Sequence, residues 1–223
     1  MSYLEFLNEL RANAEPNFAA FQKRLIFTDR EILGVRTPKM RELAKRNFDN
    51  AEEVLLYPNE YYETVFIKLT IVSMLPYPQF IKWLPKCVAW MDNWALCDSF
   101  KAKCIRCHKD EFLPILDKLF ACKGEYYQRY PLVALLSDYV EEKYFNTLKR
   151  YLLGADTSYY YVHMAAAWLL AEILIKHFDY GVSLLQEKIL PAKTHNKAIQ
   201  KAIESFRLNH EQKEYLRSLK YNK

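Results

Sequence analysis

Glycine is scarce in this sequence, and its scarcity narrows the fold. The 223 residues include four glycines, and no stretch alternates Val or Thr with polar residues. β-Strands and glycine-rich phosphate-binding loops therefore have almost no sequence from which to form. Apolar residues make up 51% of the chain, which is enough for a large core. We expect an all-α protein.

Long apolar runs and an export signal are also missing. No run approaches the ~20 apolar residues that a helix needs to span a bilayer. The chain begins with a charged amphipathic segment, MSYLEFLNELRANAEPNF, which does not resemble a signal sequence. These features predict a soluble cytoplasmic protein that has no membrane partner.

The cysteine pattern excludes two kinds of prosthetic site. Five cysteines are an odd number in a chain for which we predict no export, so we expect reduced thiols. Residues 104–108, CIRCH, match the C-x-x-C-H pattern of covalent haem attachment. Attachment of haem requires export, and a structural zinc site needs a second cysteine pair, so we expect neither group.

Apolar stretches of helical length alternate with short breaks that contain Pro, Asp or Asn. They indicate eleven or twelve helices, one of them over residues 94–108, and no linker interrupts a single domain over residues 1–223. Antiparallel pairs of ~40 residues are typical of a HEAT-type α-solenoid. A compact bundle is the alternative, although a bundle less easily places separated basic helices along one concave surface.

The segment AWMDNWALCDSFKAK, residues 89–103, combines side chains that suit catalysis. Asp92 or Asn93 can cap a helix that starts near Trp94, which places Trp94 and Asp98 one turn apart on one face. A carboxylate beside an indole in a basic field suits an enzyme that stabilises a cationic transition state on a polyanion. The alternative is an ordinary helix with a buried tryptophan and a solvated aspartate.

Positive charge is segregated along the chain, although the net charge is only +5. Residues 34–46 and 99–109 carry +4 each and residues 192–207 carry +3, so the rest of the chain is acidic. Such segregation is expected of a surface that binds phosphate, and the alternative is a set of solvated faces. The basic residues that we expect to contact DNA are Arg36, Lys39, Lys101, Lys103, Lys193, Lys197 and Lys201.

Two further residues are candidates for the same chemistry. Arg129 lies near the predicted start of an apolar helix, an unfavourable place for a cation unless an anion lies nearby. Trp168 follows three alanines, which allow close helix packing. Large aromatic residues are usually buried, so the alternative that Trp168 is an ordinary core residue stays open.

Four blocks of this sequence resemble the DNA alkylation repair family of HEAT-like DNA glycosylases, the AlkD-like proteins. The resemblance covers about residues 31–207, and the blocks occur in the family's order. They are GVRTPKMRELAK at 34–45, DNWALCDSF at 92–100, YYVHMAAAW at 160–168 and NKAIQKAIESFR at 196–207.

This resemblance implies a fold, an activity and a site. The fold is an α-solenoid whose basic concave groove holds duplex DNA, and the activity is hydrolysis of the glycosidic bond of N3- or N7-alkylated purines. The catalytic carboxylate falls on Asp98, the two groove tryptophans on Trp94 and Trp168, and the groove arginine on Arg129. The resemblance implies that these four residues converge, and that a monomer works without a metal or an organic cofactor.

Two other functions stay open from the sequence. Some relatives of this fold bind DNA or branched DNA structures without excising a base, and such a protein would tolerate the loss of Asp98. A protein-interaction scaffold is the other alternative, but it would not require a carboxylate flanked by tryptophans.

Overall fold

The computed structural model describes residues 2–221. Within this part of the chain it contains fourteen α-helices, three short 3-10 turns and no β-strand. The all-α prediction is confirmed, and the helices outnumber the eleven or twelve predicted. The chain forms two compact units, the first ending at His108 and the second beginning at Lys109. The assignment of one domain to the whole chain stays a prediction.

Helix α5 is the centre of the first unit. It packs against α3, α6 and α7, and ten of its thirteen residues are buried. A mainly apolar helix that is buried on all sides is expected at such a central position. The helices of this unit are α1 Tyr3–Ala12, α2 Pro16–Leu25, α3 Thr37–Arg46, α4 Ala51–Val54, α5 Tyr62–Met74, α6 Tyr77–Ala89 and α7 Trp94–Ser99.

Helix α11 has the corresponding place in the second unit. It packs against α9, α12 and α13, while α8 packs on α9 and α14 on α13. The helices of this unit are α8 Lys109–Phe120, α9 Glu125–Asp138, α10 Phe145–Gly154, α11 Tyr160–Lys176, α12 Phe178–Gln186, α13 Ala192–Ile203 and α14 His210–Ser218.

Alternate helices stack on one another within each unit. In the first unit α5 contacts both α3 and α7, and in the second unit α11 contacts both α9 and α13. Paired helices that stack on the pair before them are the repeating unit of HEAT-type proteins. All of the residues predicted to act on or bind DNA lie on these stacked helices or directly beside them.

A buried carboxylate fixes the loop between α2 and α3. Glu63 of α5 is completely buried and accepts hydrogen bonds from the backbone N–H groups of Leu33, Gly34 and Val35 over 2.8–3.2 Å. Burial raises the pKa of Glu63, and the backbone donors oppose that rise. Gly34 has a φ of 85°, in the left-handed region that glycine tolerates best. The loop thereby sets α3 against α2.

The helix predicted over residues 94–108 is shorter than expected. Helix α7 ends at Ser99 because Phe100 leaves the helical conformation, with φ −82° and ψ 86°. Its buried ring packs on Phe80, with 5.7 Å between the ring centroids. A 3-10 turn then covers Lys103–Cys107. The basic residues that follow Asp98 are therefore presented from a loop and a turn.

Two other expectations concern cysteines and membranes. All five cysteines are free thiols. Within residues 2–221, every helix is too short or too polar to cross a membrane.

Candidate active site

The start of α7 is capped as the sequence predicts. Asn93 is completely buried, and its Oδ1 accepts a hydrogen bond of 3.1 Å from the backbone N–H of Leu96. Asp92 supports the cap, because its Oδ1 accepts a 2.7 Å hydrogen bond from Nδ2 of Asn93. Its Oδ2 lies 2.6 Å from Nη1 of Arg30. This anchoring holds a helix of only six residues in a defined orientation.

Trp94 is held against the end of α2. Its indole Nε1 donates a hydrogen bond of 3.0 Å to the backbone carbonyl of Leu25. The side chain is half-buried, as is that of Asp98 one turn later. Trp94 is therefore not an ordinary core residue, and Asp98 is not fully solvated. Both side chains remain partly accessible, as contact with a substrate requires.

Trp94 and Asp98 line one cavity of about 370 Å³. Among the described residues that line it, Asp98 is the single acid and Arg41 the single base. The walls are mainly aromatic and aliphatic, which lowers the local dielectric and strengthens the field of the carboxylate. We call this cavity the Asp98 pocket. Its lining residues are Phe18, Phe21, Gln22, Leu25, Ile26, Thr37, Arg41, Tyr62, Phe66, Trp94, Ala95, Asp98 and Ser99.

A second cavity shares Arg41 with the Asp98 pocket. It measures about 550 Å³, and its charged lining residues are Arg41, Lys45, Lys101 and Lys103. All four side chains are exposed. Within residues 2–221 none of the four is engaged in an ion pair. We call these four residues the cationic cluster. Their unneutralised charge around this cavity, whose lining also includes Thr70 and Ser73, suits the binding of phosphates.

The two other basic residues predicted in this unit are neutralised within the protein. Arg36 forms a two-pronged ion pair with Glu15, its shortest distance being 2.7 Å, and its guanidinium stacks 3.9 Å above the ring of Phe18. Lys39 pairs with Glu42 at 2.7 Å. Arg41 and Lys45, which the sequence placed in a basic segment without a specific role, therefore keep a charge that Arg36 and Lys39 share with an acidic partner.

Arg129 and Trp168 contact each other in the second unit. Arg129 is the fifth residue of α9 and only 1% exposed. Its Nη1 donates a 2.6 Å hydrogen bond to the backbone carbonyl of Tyr161, and its guanidinium lies 5.6 Å from the centroids of the Tyr161 and Trp168 rings. The half-buried Trp168 is therefore one wall of a cation–π cluster. The convergence of this pair with Trp94 and Asp98 stays a prediction.

The three predicted lysines of the second unit lie along α13. Lys193 is exposed, Lys197 contacts Gln200 at 3.2 Å, and Lys201 pairs with Glu204 at 2.9 Å. The charge of Lys201 is thus partly neutralised, while within residues 2–221 no acidic residue forms an ion pair with Lys193 or Lys197.

A buried histidine fixes α13 against α11. His163 Nδ1 lies 2.8 Å from Oγ1 of Thr194. Burial lowers the pKa of His163, and Lys193 and Lys197 lower it further. A neutral imidazole is therefore favoured beneath these two lysines, so the fold adds no further positive charge there.

Comparison with known proteins identifies the family. A family model described as DNA alkylation repair enzyme matches residues 6–206. The chain belongs to this family. The HEAT-like α-solenoid is the fold of this family, as the resemblance implied, and its description implies DNA as the substrate. A search of curated proteins finds no match.

Sequence reasoning missed the α2 wall of the Asp98 pocket. Residues Phe18, Phe21, Gln22 and Leu25 follow helical spacing on α2, and that spacing indicates a helix without indicating what it contacts. They share a pocket with Asp98, and a hydrogen bond joins residues 25 and 94 there, a contact that no local pattern reveals. Among the described residues, no group of three or more His, Cys, Asp or Glu could hold a metal ion.

Proposed function

We propose that this member of the DNA alkylation repair family is a DNA glycosylase that removes N3- or N7-alkylated purines from duplex DNA. The observation that carries the proposal is the pairing of Asp98 with Trp94 in one pocket that adjoins the cationic cluster through Arg41. A carboxylate for the sugar and cations for the phosphates are the two kinds of group that this reaction needs.

The chemistry follows from the charge of the lesion. Alkylation at N3 or N7 gives the purine a positive charge, so the base leaves without being protonated. The bond from C1′ to N9 breaks, and its electron pair neutralises the departing base. The oxygen of a water molecule then bonds to C1′ of the oxocarbenium-like sugar, and a proton of that water passes to Asp98 and on to solvent. As in glycoside hydrolysis, the carboxylate stabilises the cation and guides the water.

Trp94 supports this reaction by its fixed orientation. Its hydrogen bond to the carbonyl of Leu25 holds the indole in the pocket. The π face can then contact the deoxyribose as positive charge develops, which contributes on the order of 1 kcal/mol. The resemblance assigns Trp168 and Arg129 to the same reaction, and a double-mutant cycle that combines Trp94→Ala with Trp168→Ala tests that assignment.

The cationic cluster would hold the phosphates of the substrate. Arg41, Lys45, Lys101 and Lys103 are exposed and line one cavity beside Asp98. Phosphate contacts of this kind fix the register of a duplex and make its affinity depend on salt.

The experiment that tests the function measures release of free base. A duplex with a single 7-methylguanine is incubated with the protein, and released base and abasic sites are quantified beside a duplex of the same sequence with guanine. Release from the methylated duplex alone supports the glycosylase. Salt-sensitive binding to both duplexes without release would instead support the non-catalytic DNA-binding function. Absence of both binding and release would favour a protein-interaction scaffold.

A further inference from the structure

One residue that lines the Asp98 pocket carries a polar atom that has no partner within the described residues. Gln22 of α2 lines the pocket and is 7% exposed. Its Oε1 is enclosed and accepts no hydrogen bond from residues 2–221. Buried polar side chains are nearly always hydrogen-bonded, and an unpaired acceptor lowers stability. An unpaired buried acceptor that lowers stability can be retained because it is needed for function.

The position of Gln22 ties it to the residues proposed for catalysis. Gln22 and Leu25 lie one turn apart on α2, and the carbonyl of Leu25 accepts the hydrogen bond of the Trp94 indole. Asp98 follows Trp94 by one turn of α7. The amide and the carboxylate thus belong to two helices that the Trp94 indole joins. The terminal torsion of a glutamine is broad, so the Gln22 amide can turn its oxygen toward the pocket that its side chain lines.

We infer that Gln22 is a positioning residue for the water that attacks the sugar, an inference that rests on the proposed glycosylase function. A water molecule donates two hydrogen bonds, and the pocket supplies two oxygen acceptors for them, the Asp98 carboxylate and the Gln22 amide. With both hydrogens held, a lone pair of the water oxygen is left to form the bond to C1′. The neutral amide accepts a hydrogen bond but does not take up the proton, so that proton passes to Asp98.

This role predicts opposite effects on stability and on rate. Gln22→Leu removes the unpaired acceptor, so the melting temperature should rise by about 3 °C. The same variant loses one of the two groups that hold the water, so single-turnover release of 7-methylguanine should slow by about tenfold. Affinity for the methylated duplex should not change. Gln22→Glu keeps an acceptor oxygen at the same reach and should release base faster than Gln22→Leu.

A matched control is available on another helix of the same unit. Gln79 lies on α6 and is exposed, so Gln79→Leu should leave both melting temperature and rate within error of the wild type. Comparison of the two leucine variants separates the effect of the pocket from the general effect of replacing a glutamine on a helix.

The outcomes distinguish this inference from the function on which it rests. If the wild type releases no base, the glycosylase proposal fails and the role of Gln22 fails with it. If the wild type releases base and Gln22→Leu does so at the same single-turnover rate, only the role of Gln22 is overturned. A lowered melting temperature, or a loss confined to affinity, would also overturn it, because either result assigns Gln22 to packing or binding. If Gln22→Leu does not fold, a rate for Gln22→Glu as low as that of Asp98→Asn contradicts the inference, and a rate near that of the wild type supports it.

Discussion

Gly34→Ala should destabilise the first unit strongly, because the backbone around Gly34 leaves no space for a methyl group. A Cβ atom at this position would lie 2.4 Å from the carbonyl oxygen of Glu15 and 2.6 Å from the backbone nitrogen of Ala19. Both atoms belong to the backbone at the start of α2, so no side-chain rotation relieves the contact. The N–H of Gly34 also donates a 2.8 Å hydrogen bond to Glu63, which limits movement of the loop.

The size of the effect can be worked out from two terms. A φ of 85° costs a non-glycine residue about 1–2 kcal/mol. Overpacking against a fixed backbone adds about 1–3 kcal/mol. The sum, about 2–5 kcal/mol, corresponds to a fall on the order of 10 °C in melting temperature for a chain of this size.

Gly124→Ala is the matched control. Gly124 also has a positive φ, 125°, but an added Cβ would meet only the Tyr127 ring, at 3.2 Å. This variant carries the conformational cost of a non-glycine residue at φ 125° and ψ 144° without the backbone clash, so we expect a loss of about 1–3 kcal/mol. Urea unfolding followed by circular dichroism measures both variants. Equal losses for Gly34→Ala and Gly124→Ala would refute the argument from the backbone contact.

Three further predictions concern charged residues. Lys101→Ala should reduce the slope of log affinity for duplex DNA against log salt by about one unit. Lys39→Ala should reduce that slope less, because Glu42 already neutralises Lys39. Fluorescence anisotropy measures both slopes, and equal effects of the two variants would contradict this prediction. Burial lowers the pKa of Lys68 from 10.5 to about 8. Between these values the unfolded chain holds a proton that the native protein lacks, so the stability of the wild type relative to Lys68→Met should rise with pH, by up to about 3 kcal/mol. Urea titrations from pH 7.5 to 10.5 measure that difference, and a constant value would exclude the shift. Arg129→Lys should lower the melting temperature by several degrees, because a lysine cannot keep both the hydrogen bond to the Tyr161 carbonyl and the stacking on the Trp168 ring. An unchanged melting temperature by calorimetry would show that this cluster contributes nothing to stability.

The parts of the site that follow from local rules could be predicted from the sequence. The cap by Asn93, the start of α7 and the shared face of Trp94 and Asp98 depend on residues within two helical turns. The all-α fold follows in the same way from the scarcity of glycine and of alternating strands.

The other parts depend on contacts between residues far apart in the chain. Helix α7 ends early, before Phe100, whose ring packs on Phe80. Intrinsic helix propensity does not predict such a contact between distant residues. Arg129 lies near the start of α9, as the sequence predicts, but its contact with the ring of Trp168, 39 residues later, follows from no local pattern. Gln22 shares a pocket with Asp98 only because α2 and α7 are adjacent in the fold.

The most direct test of the proposed function is the single-turnover release of 7-methylguanine by Asp98→Asn. This change keeps the shape of the side chain and removes the charge that would stabilise the oxocarbenium-like sugar, a loss of several kcal/mol in barrier lowering. Asp179→Asn is the control, because Asp179 is an exposed acid on α12 of the second unit and its loss changes the net charge equally. We predict that Asp98→Asn abolishes release while it binds the methylated duplex at least as tightly as the wild type, and that Asp179→Asn releases base at the wild-type rate. Release by Asp98→Asn at the rate of the wild type would contradict the catalytic role of Asp98.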